Sequence, residues 1–533
     1  MSTIQIKVIS DVTCNNLFKN LKINSDVRID FDFAPIDQFA TEIINHGGED
    51  FLLIHLTQNA FNTYSINEDY LNNLKEILLI IKESISSSNK KVILNTIFFD
   101  RLSSSQENLV YQNNLIYNAN KLITDFAQNN KSSTILIDIE SVISNLGFSD
   151  NFSLRNYGVM RFPYSKSLSR AVRGEYEYHL ESYFKPRKKV IFVDADNTLW
   201  GGIIGEDGIN NVKIGHEYPG SVFYHFQQTL LRLKNEGILL SLVTKNNLSD
   251  IEEFFATIKM PLTMNDFSEV RANWQPKSSN ISEILESLNL ASSSAIFIDD
   301  NQFEIEEVER VHPDLLCIPF DKNNFNSLNT RLHKKVGLYT HLLTKEDRVK
   351  SESYEQEKKR KELKVESKSI EDYLLSLNIK INVHLNDKSF APRVSQLTQK
   401  TNQFNLTTRR YSVSDIEKFM SKDSVFIFDV NDRFGDMGVV GVIIIVNDLI
   451  DTFLLSCRAF GRNIEKKMLL SALQHMDQYP MRAEFIATKK NEITKNFYLE
   501  NGFSLDKQEE CIIAYSLKEF HNVDVNLKNV KWI

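Results

Sequence analysis

Val190-Ile191-Phe192-Val193-Asp194-Ala195-Asp196-Asn197-Thr198-Leu199-Trp200-Gly201-Gly202 decides the reading of this chain. Four apolar residues predict a strand. Two carboxylates follow at once, spaced i and i+2, with a threonine two residues on. On a strand tip, residues i and i+2 point the same way. Asp194 and Asp196 are therefore expected to face one spot just beyond a sheet edge. Two anions held that close repel unless a hard cation lies between them or one takes a proton. A magnesium-assisted phosphoryl-transfer site needs that arrangement.

Three further segments fit the first. A strand predicted at Leu239–Val243 ends in Thr244-Lys245-Asn246-Asn247, and the Thr244 hydroxyl can donate a hydrogen bond to a phosphate oxygen. Asn273-Trp274-Gln275-Pro276-Lys277 supplies a lysine that opens a helix, and its ammonium can neutralise both phosphate and nucleophile. A strand at Ala295–Ile298 ends in Asp299-Asp300-Asn301. Neighbouring strand residues point to opposite faces, so one of these two acids is expected to bind metal directly. Ligands of open parallel sheets sit beyond the carboxyl ends of the strands, and all four segments are predicted there. Between the first and second segments there is no room for a large cap, and Gly201–Gly208 can form only a tight flap.

At 533 residues the chain is expected to form about three domains. Lys+Arg 62 against Asp+Glu 70 gives a net charge of −8, which disfavours a nucleic-acid surface. No apolar run is long enough to span a bilayer, and the N-terminus lacks the order of a signal peptide. Cys14, Cys317, Cys457 and Cys511 lie far apart, form no CxxC pair, and suit a reducing cytoplasm without structural zinc.

The expected fold class is α/β multidomain. Residues 1–186 alternate strands (Ile4–Ile9, Phe51–Leu56, Val92–Ile97, Thr134–Ile139) with helices (Asn67–Ser87, Gln106–Asn129), which predicts a doubly wound sheet. Residues 187–345 repeat that rhythm, with helices at Ser221–Asn235, Leu248–Ile258 and Ser278–Leu288. The densely charged 346–369 reads as a solvated linker or helix. Residues 370–533 form a different, α+β unit. Its predicted strands are Val425–Val430, Gly438–Val446, Thr452–Ser456 and Cys511–Ser516; its helices are Ala391–Lys400, Ile464–Gln478 and Ile493–Leu499.

Strand-DxDxT with the three later segments resembles the haloacid dehalogenase (HAD) superfamily. Leu199–Gly208, Thr244–Asn247, Trp274–Ser278 and Ile298–Asn301 resemble its FkbH-like branch, subfamily IIIC. So do Gln396–Tyr411, Asp432–Asp436 and Ser456–Arg462. The resemblance implies an SGNH-hydrolase-like N-terminal region, a central HAD-type Rossmannoid domain and an acetyltransferase-like (GNAT) C-terminal domain. Asp194 would attack phosphorus, Asp196 would act as acid and then base, and Thr244 and Lys277 would hold the phosphoryl oxygens. Asp194, the Asp196 carbonyl and Asp300 would bind Mg2+, with Asp299 behind them. Such proteins dephosphorylate 1,3-bisphosphoglycerate and place the glyceryl unit on the phosphopantetheine thiol of an acyl carrier protein, for polyketide and related pathways. Two other readings stay open: a stand-alone magnesium phosphatase of a small metabolite, and a non-catalytic scaffold that recruits a carrier protein.

Arg458-Ala459-Phe460-Gly461-Arg462-Asn463, opening a helix, resembles the GNAT pyrophosphate loop, where backbone N–H groups at a helix start bind phosphate. Asn463 replaces the usual Gly or Ala, which suits a single phosphopantetheine phosphate better than coenzyme A. Tyr498 matches the later GNAT tyrosine near the thioester, or it is a core aromatic. Cys457 is either a small buried hydrophobe or a thiol that carries the acyl group, activated by Arg458 and a helix start. His384 and His475 read as structural. In the N-terminal domain Ser10 stands where SGNH hydrolases place a nucleophile. No DxxH base follows it, and no Asp stands three residues before His179. A triad without its base loses most of its rate, so this domain reads as a docking module.

Overall fold

The computed structural model describes the chain apart from residues 1, 20, 24–26, 46, 48–49, 63–65, 88–89, 101–104, 148–150, 335–336, 344–355, 357–358, 361–362, 365, 368, 457–458, 477–478, 489, 510–511 and 520–528. Contacts divide it into two compact units, 1–233 with 240–343, and 344–533 with 234–239. Among the described residues no helix is long and apolar enough to cross a membrane.

The first unit holds two sheets. Strands β1 (Ser2–Ser10), β2 (Val27–Phe33), β3 (Phe51–His55), β4 (Lys91–Asn95) and β5 (Thr134–Ile137) form a parallel sheet in the order β2-β1-β3-β4-β5. Helices Glu68–Ser87 and Gln106–Asn129 match their apolar periodicity. Four of these strands lie where the apolar runs predict them, and β2 is unanticipated. Val-Arg-Ile-Asp-Phe-Asp-Phe is an edge strand, only partly buried along its length, and lacks the apolar run of the central strands.

Beyond β1, Asp11 is fully buried and accepts from Thr57 N (2.9 Å) and the Thr57 hydroxyl. Burial pushes its carboxyl up to about 7, against those hydrogen bonds. A carboxyl raised in the folded state favours folding below its unfolded value and loses that contribution as pH rises through the folded one. Asn at this position can accept from Thr57 N and donate to the Thr57 hydroxyl. Asp11→Asn is therefore expected to be neutral near pH 4 and to stabilise the unit by roughly 1–3 kcal/mol at pH 8. Thermal denaturation at the two pH values checks this, and equal shifts at both would contradict it.

Strands β6 (Val190–Val193), β7 (Leu239–Thr244), β8 (Glu269–Ala272), β9 (Ala295–Asp299) and β10 (Leu316–Pro319) form the second sheet, in the order β10-β9-β6-β7-β8. The β10–β9, β9–β6 and β7–β8 pairs are parallel. Every residue of β6, β7 and β9 is buried, as a sheet covered on both faces requires. Helices Gly220–Asn235, Leu248–Thr257, Lys277–Ser287 and Gln302–Val311 accompany it. The last is capped by the Asn301 side chain, which accepts from Phe303 N at 2.9 Å.

The second unit is built on one sheet. Its strands are β11 (Lys380–Leu385), β12 (Ser424–Asp432), β13 (Gly435–Val446), β14 (Leu449–Leu455), β15 (Met481–Ile486), β16 (Ser504–Gln508), β17 (Ile512–Leu517) and β18 (Val530–Trp532). The order is β16-β17-β15-β14-β13-β12-β11-β18. Alternation along β12 sends Phe426 and Phe428 into one core and Val425 and Ile427 into the other. The expected helix at Ile493–Leu499 is instead a 3-10 turn (Glu492–Thr494) and a single helical turn (Phe497–Glu500).

β14 and β15 run parallel for only two rungs, Leu449↔Arg482 and Ile450↔Ala483. Past that point they part, and the chain's own Phe404–Leu406 lies between them. Leu406 N donates to Phe453 O (3.0 Å), Leu455 N to Phe404 O (2.9 Å) and Ile486 N to Leu406 O (2.8 Å). Arg409 adds a second tie, to Asp451 on β14 and Glu484 on β15, each at 2.6 Å.

Much of 346–369 lies outside the described residues, but Arg360 corrects the picture of a solvated linker. It is 2% exposed and clasps the Asp432 carboxylate, itself closed to solvent, through two hydrogen bonds of 2.6 and 2.8 Å. A charge run reads as exposed until one member finds a buried opposite charge, and spacing alone does not reveal that partner.

Candidate active site

The acid-rich tips of β6 and β9 meet at one buried lysine. Lys277, the first residue of its helix, places Nζ 2.7 Å from Asp194 Oδ1 and 2.6 Å from Asp299 Oδ2. All three side chains are nearly closed to solvent. Asp299 also accepts from Asn301 N at 2.8 Å, so both of its oxygens are engaged. Asp300, on the exposed side, has its backbone N 3.2 Å from Thr198 Oγ1 and only a long 3.5 Å contact from that hydroxyl to its carboxylate.

The charges do not balance. Burial pushes the Asp194 carboxyl up to about 7; Lys277 opposes this and Asp299 reinforces it. Burial raises Asp299 too, against the pull of Lys277. Burial raises Asp300, and Asp194 adds to it. Burial alone would lower Lys277, but the two carboxylates outweigh it and hold the ammonium charged. One cation thus serves three acids. One oxygen each from Asp194, Asp299 and Asp300 lies within 4.8 Å of the others. A compact set of hard carboxylate oxygens with surplus negative charge suits a small divalent cation.

Asp196 stands apart from this cluster. Its Oδ1 accepts from Trp200 Nε1 (2.9 Å) and Ile204 N (3.2 Å), and its Oδ2 from Asn246 Nδ2 (2.8 Å). Thr244, 1% exposed at the end of β7, accepts from the same Asn246 nitrogen at 3.0 Å. The flap closes on itself through Gly201 N to Lys213 O (2.9 Å) and Lys213 N to Gly201 O (2.7 Å). Gly202 holds φ +107°, and a Cβ there would meet Asp207 Oδ2 at 2.7 Å, so only glycine fits.

Trp200 and Asn246 are not among the expected site residues, yet both hold Asp196. The signal for Asn246 is its i+2 spacing from Thr244, which places both side chains on one face.

The expected C-terminal site is less assembled. Cys457 and Arg458 lie outside the described residues. Gly461 has φ +76° and Asn463 φ +57°, with Asn463 at the start of helix Ile464–His475. Arg462 is 7% exposed and reaches Met437 Sδ at 3.4 Å. Tyr498 is 1% exposed within the aromatic core, its hydroxyl without a hydrogen-bond partner among the described residues, and burial raises its pKa. In the N-terminal sheet Ser10 Oγ accepts from Val12 N and Cys14 Sγ. His55 is closed off by the Tyr176 and Tyr164 hydroxyls at 2.8 and 3.0 Å, and burial lowers it to about 3. His179 lies 3.5 Å from Glu175.

Residues 202–312 match the family model described as haloacid dehalogenase-like hydrolase. No curated protein matches the chain in sequence. A crystal structure from Bacteroides fragilis, described as the N-terminal part of a protein containing a phosphatase domain complexed with Mg, is 20% identical. It covers 64% of this chain and 94% of its own, with a TM-score of 0.55. An uncharacterized protein from Corynebacterium glutamicum (12% identity, 28% of this chain, 94% of its own) and a putative GNAT-family acetyltransferase from Desulfovibrio desulfuricans (12%, 26%, 98%) align at a TM-score of 0.20 each. The chain therefore carries a haloacid dehalogenase-like hydrolase domain on its central sheet.

Proposed function

We propose that the central domain is a magnesium-dependent phosphatase whose reaction the flanking domains direct toward acyl transfer. The observation that carries the phosphatase reading is the Lys277 clamp on Asp194 and Asp299, with Asp300 beside them. Asp194, Asp300 and the Asp196 carbonyl would hold Mg2+, and Asp299 would orient Lys277. Bound there, the cation would offset the surplus carboxylate charge and polarise a phosphoryl oxygen.

Asp194 attacks phosphorus and the bond from phosphorus to the leaving oxygen breaks, giving an aspartyl-phosphate. Lys277 and Thr244 hold the equatorial oxygens, where charge spreads. Asp196 gives a proton to the leaving oxygen and then takes one from the water that releases phosphate.

The substrate is proposed to be a phosphoglyceryl donor such as 1,3-bisphosphoglycerate, and the acceptor the phosphopantetheine thiol of an acyl carrier protein. Support comes from the FkbH-type strings at 396–411, 432–436 and 456–462. Cys457 is the proposed acyl-bearing thiol. Its sulfur attacks the acyl carbon as the 1-phosphate leaves, and the glyceryl unit passes to the carrier thiol by thioester exchange. The central site hydrolyses the 3-phosphate. The 458–463 loop with Tyr498 is the proposed seat of the arm. The N-terminal domain is proposed to dock partners without catalysis, because no histidine among the described residues bonds to Ser10 Oγ. Intact-mass measurement of a holo carrier protein, incubated with the full chain, Mg2+ and 1,3-bisphosphoglycerate, tests this. A glyceryl adduct is expected. Phosphate release without an adduct would leave the stand-alone phosphatase.

A further inference from the structure

Asn246 is 4% exposed and touches two groups that act at different moments of the proposed reaction. Its Nδ2 lies 2.8 Å from Asp196 Oδ2 and 3.0 Å from Thr244 Oγ1. An amide nitrogen carries two hydrogens, so it can serve both acceptors at once.

For Thr244 this sets a direction. A hydroxyl has one hydrogen and two lone pairs. By accepting from Asn246, Thr244 keeps its own O–H to give away, and among the described residues no protein group takes it. A phosphoryl oxygen is then the natural acceptor, and the amide–hydroxyl–phosphoryl chain polarises in one sense.

For Asp196 the same nitrogen is one of three anchors. The others, Trp200 Nε1 and Ile204 N, both hold Oδ1. The Trp200 indole is itself fixed: it is fully buried and packs on Phe254 with ring centroids 4.3 Å apart. Among the described residues Asn246 alone holds Oδ2, and so it sets the rotation of the carboxylate about its last bond.

We propose that Asn246 is a positioning residue that couples phosphate capture by Thr244 to the orientation of Asp196. The proposal rests on the phosphatase reading and deepens it. Asn246 acts through these two side chains. It makes the hydroxyl a donor and aims the acid from a single side chain, so losing it disturbs both groups together.

The test uses the full chain with Mg2+ and two phosphomonoesters. p-Nitrophenyl phosphate has a leaving group that needs little protonation, whereas glycerol 2-phosphate releases an alkoxide that needs a proton. Asn246→Ala is expected to raise KM a few-fold on both through Thr244. Its single-turnover rate of alcohol release, which reports phosphoenzyme formation alone, should fall by about 10²-fold on glycerol 2-phosphate and by about 10-fold or less on p-nitrophenyl phosphate. In an Asp196→Asn background it should cost little further of that rate on the glycerol ester, because one function has already been removed.

Equal losses on the two esters, or full multiplication of the Asp196→Asn and Asn246→Ala effects, would overturn the coupling. Asn246→Ser, with melting temperature measured alongside, guards against misfolding: a lowered Tm with wild-type kinetics would make Asn246 merely structural. Absence of turnover by the wild-type chain on both esters, or full turnover by Asp194→Asn, would instead refute the phosphatase reading and the coupling with it.

Discussion

Asp194→Asn is expected to reduce phosphate release by at least about 10³-fold and to abolish any phosphoenzyme. An amide in place of the carboxylate lacks the nucleophilic anion, and nothing else at the tip of β6 replaces it. Asp299 has both oxygens engaged, and Asp196 is held by three donors away from Lys277.

The same change should help folding. Burial pushes the Asp194 carboxyl up to about 7. At pH 8 without metal the folded state bears the cost of an ionised, buried Asp194, and that cost vanishes below the unfolded value. Asp194→Asn is therefore expected to raise Tm at pH 8 in chelator and to change it little near pH 4. Acid-quenched intact mass for the phosphoenzyme, phosphate release, and thermal denaturation at the two pH values check the three parts. A variant that keeps its turnover would end the proposed mechanism.

Lys277→Met should be the more damaging change. The ammonium lies 2.7 and 2.6 Å from two buried carboxylates. Removing it leaves both without their shared cation, and an uncompensated buried charge typically costs about 3–5 kcal/mol. For a domain of this size that is a fall in Tm of roughly 6–20 °C. Turnover is expected to drop about 10³-fold, because the equatorial phosphoryl oxygens lose a charged partner. Added Mg2+ should restore part of the lost Tm, because a divalent cation can take over the neutralising role, but not the rate. Thermal denaturation with chelator and with Mg2+, beside phosphate release, separates the two effects. Unchanged stability in chelator would show that Lys277 does not carry the charge balance.

These residues were legible in the sequence because each is placed by local structure. Asp194 and Asp299 follow apolar strands and Lys277 opens a helix after Pro276, so position along the chain predicts position at the sheet edge. Their mutual distances were not legible, and neither was Asn246 as the bridge between Thr244 and Asp196. A hydrogen bond between residues 50 apart in sequence depends on how strands are ordered, which periodicity does not report. Edge strands such as β2 escape for the opposite reason: half-exposed, they carry too little apolar signal. Arg360 shows the limit for charge patterns, since its partner Asp432 lies 72 residues away.

The segment Phe404–Leu406 that the second unit inserts between its own strands has a consequence for access. Phe404–Leu406 takes up main-chain groups on the facing edges of β14 and β15. Any guest main chain laid along that edge would have to outcompete a rival tethered to the same polypeptide, whose effective concentration is of order millimolar. Micromolar guests leave such a rival seated.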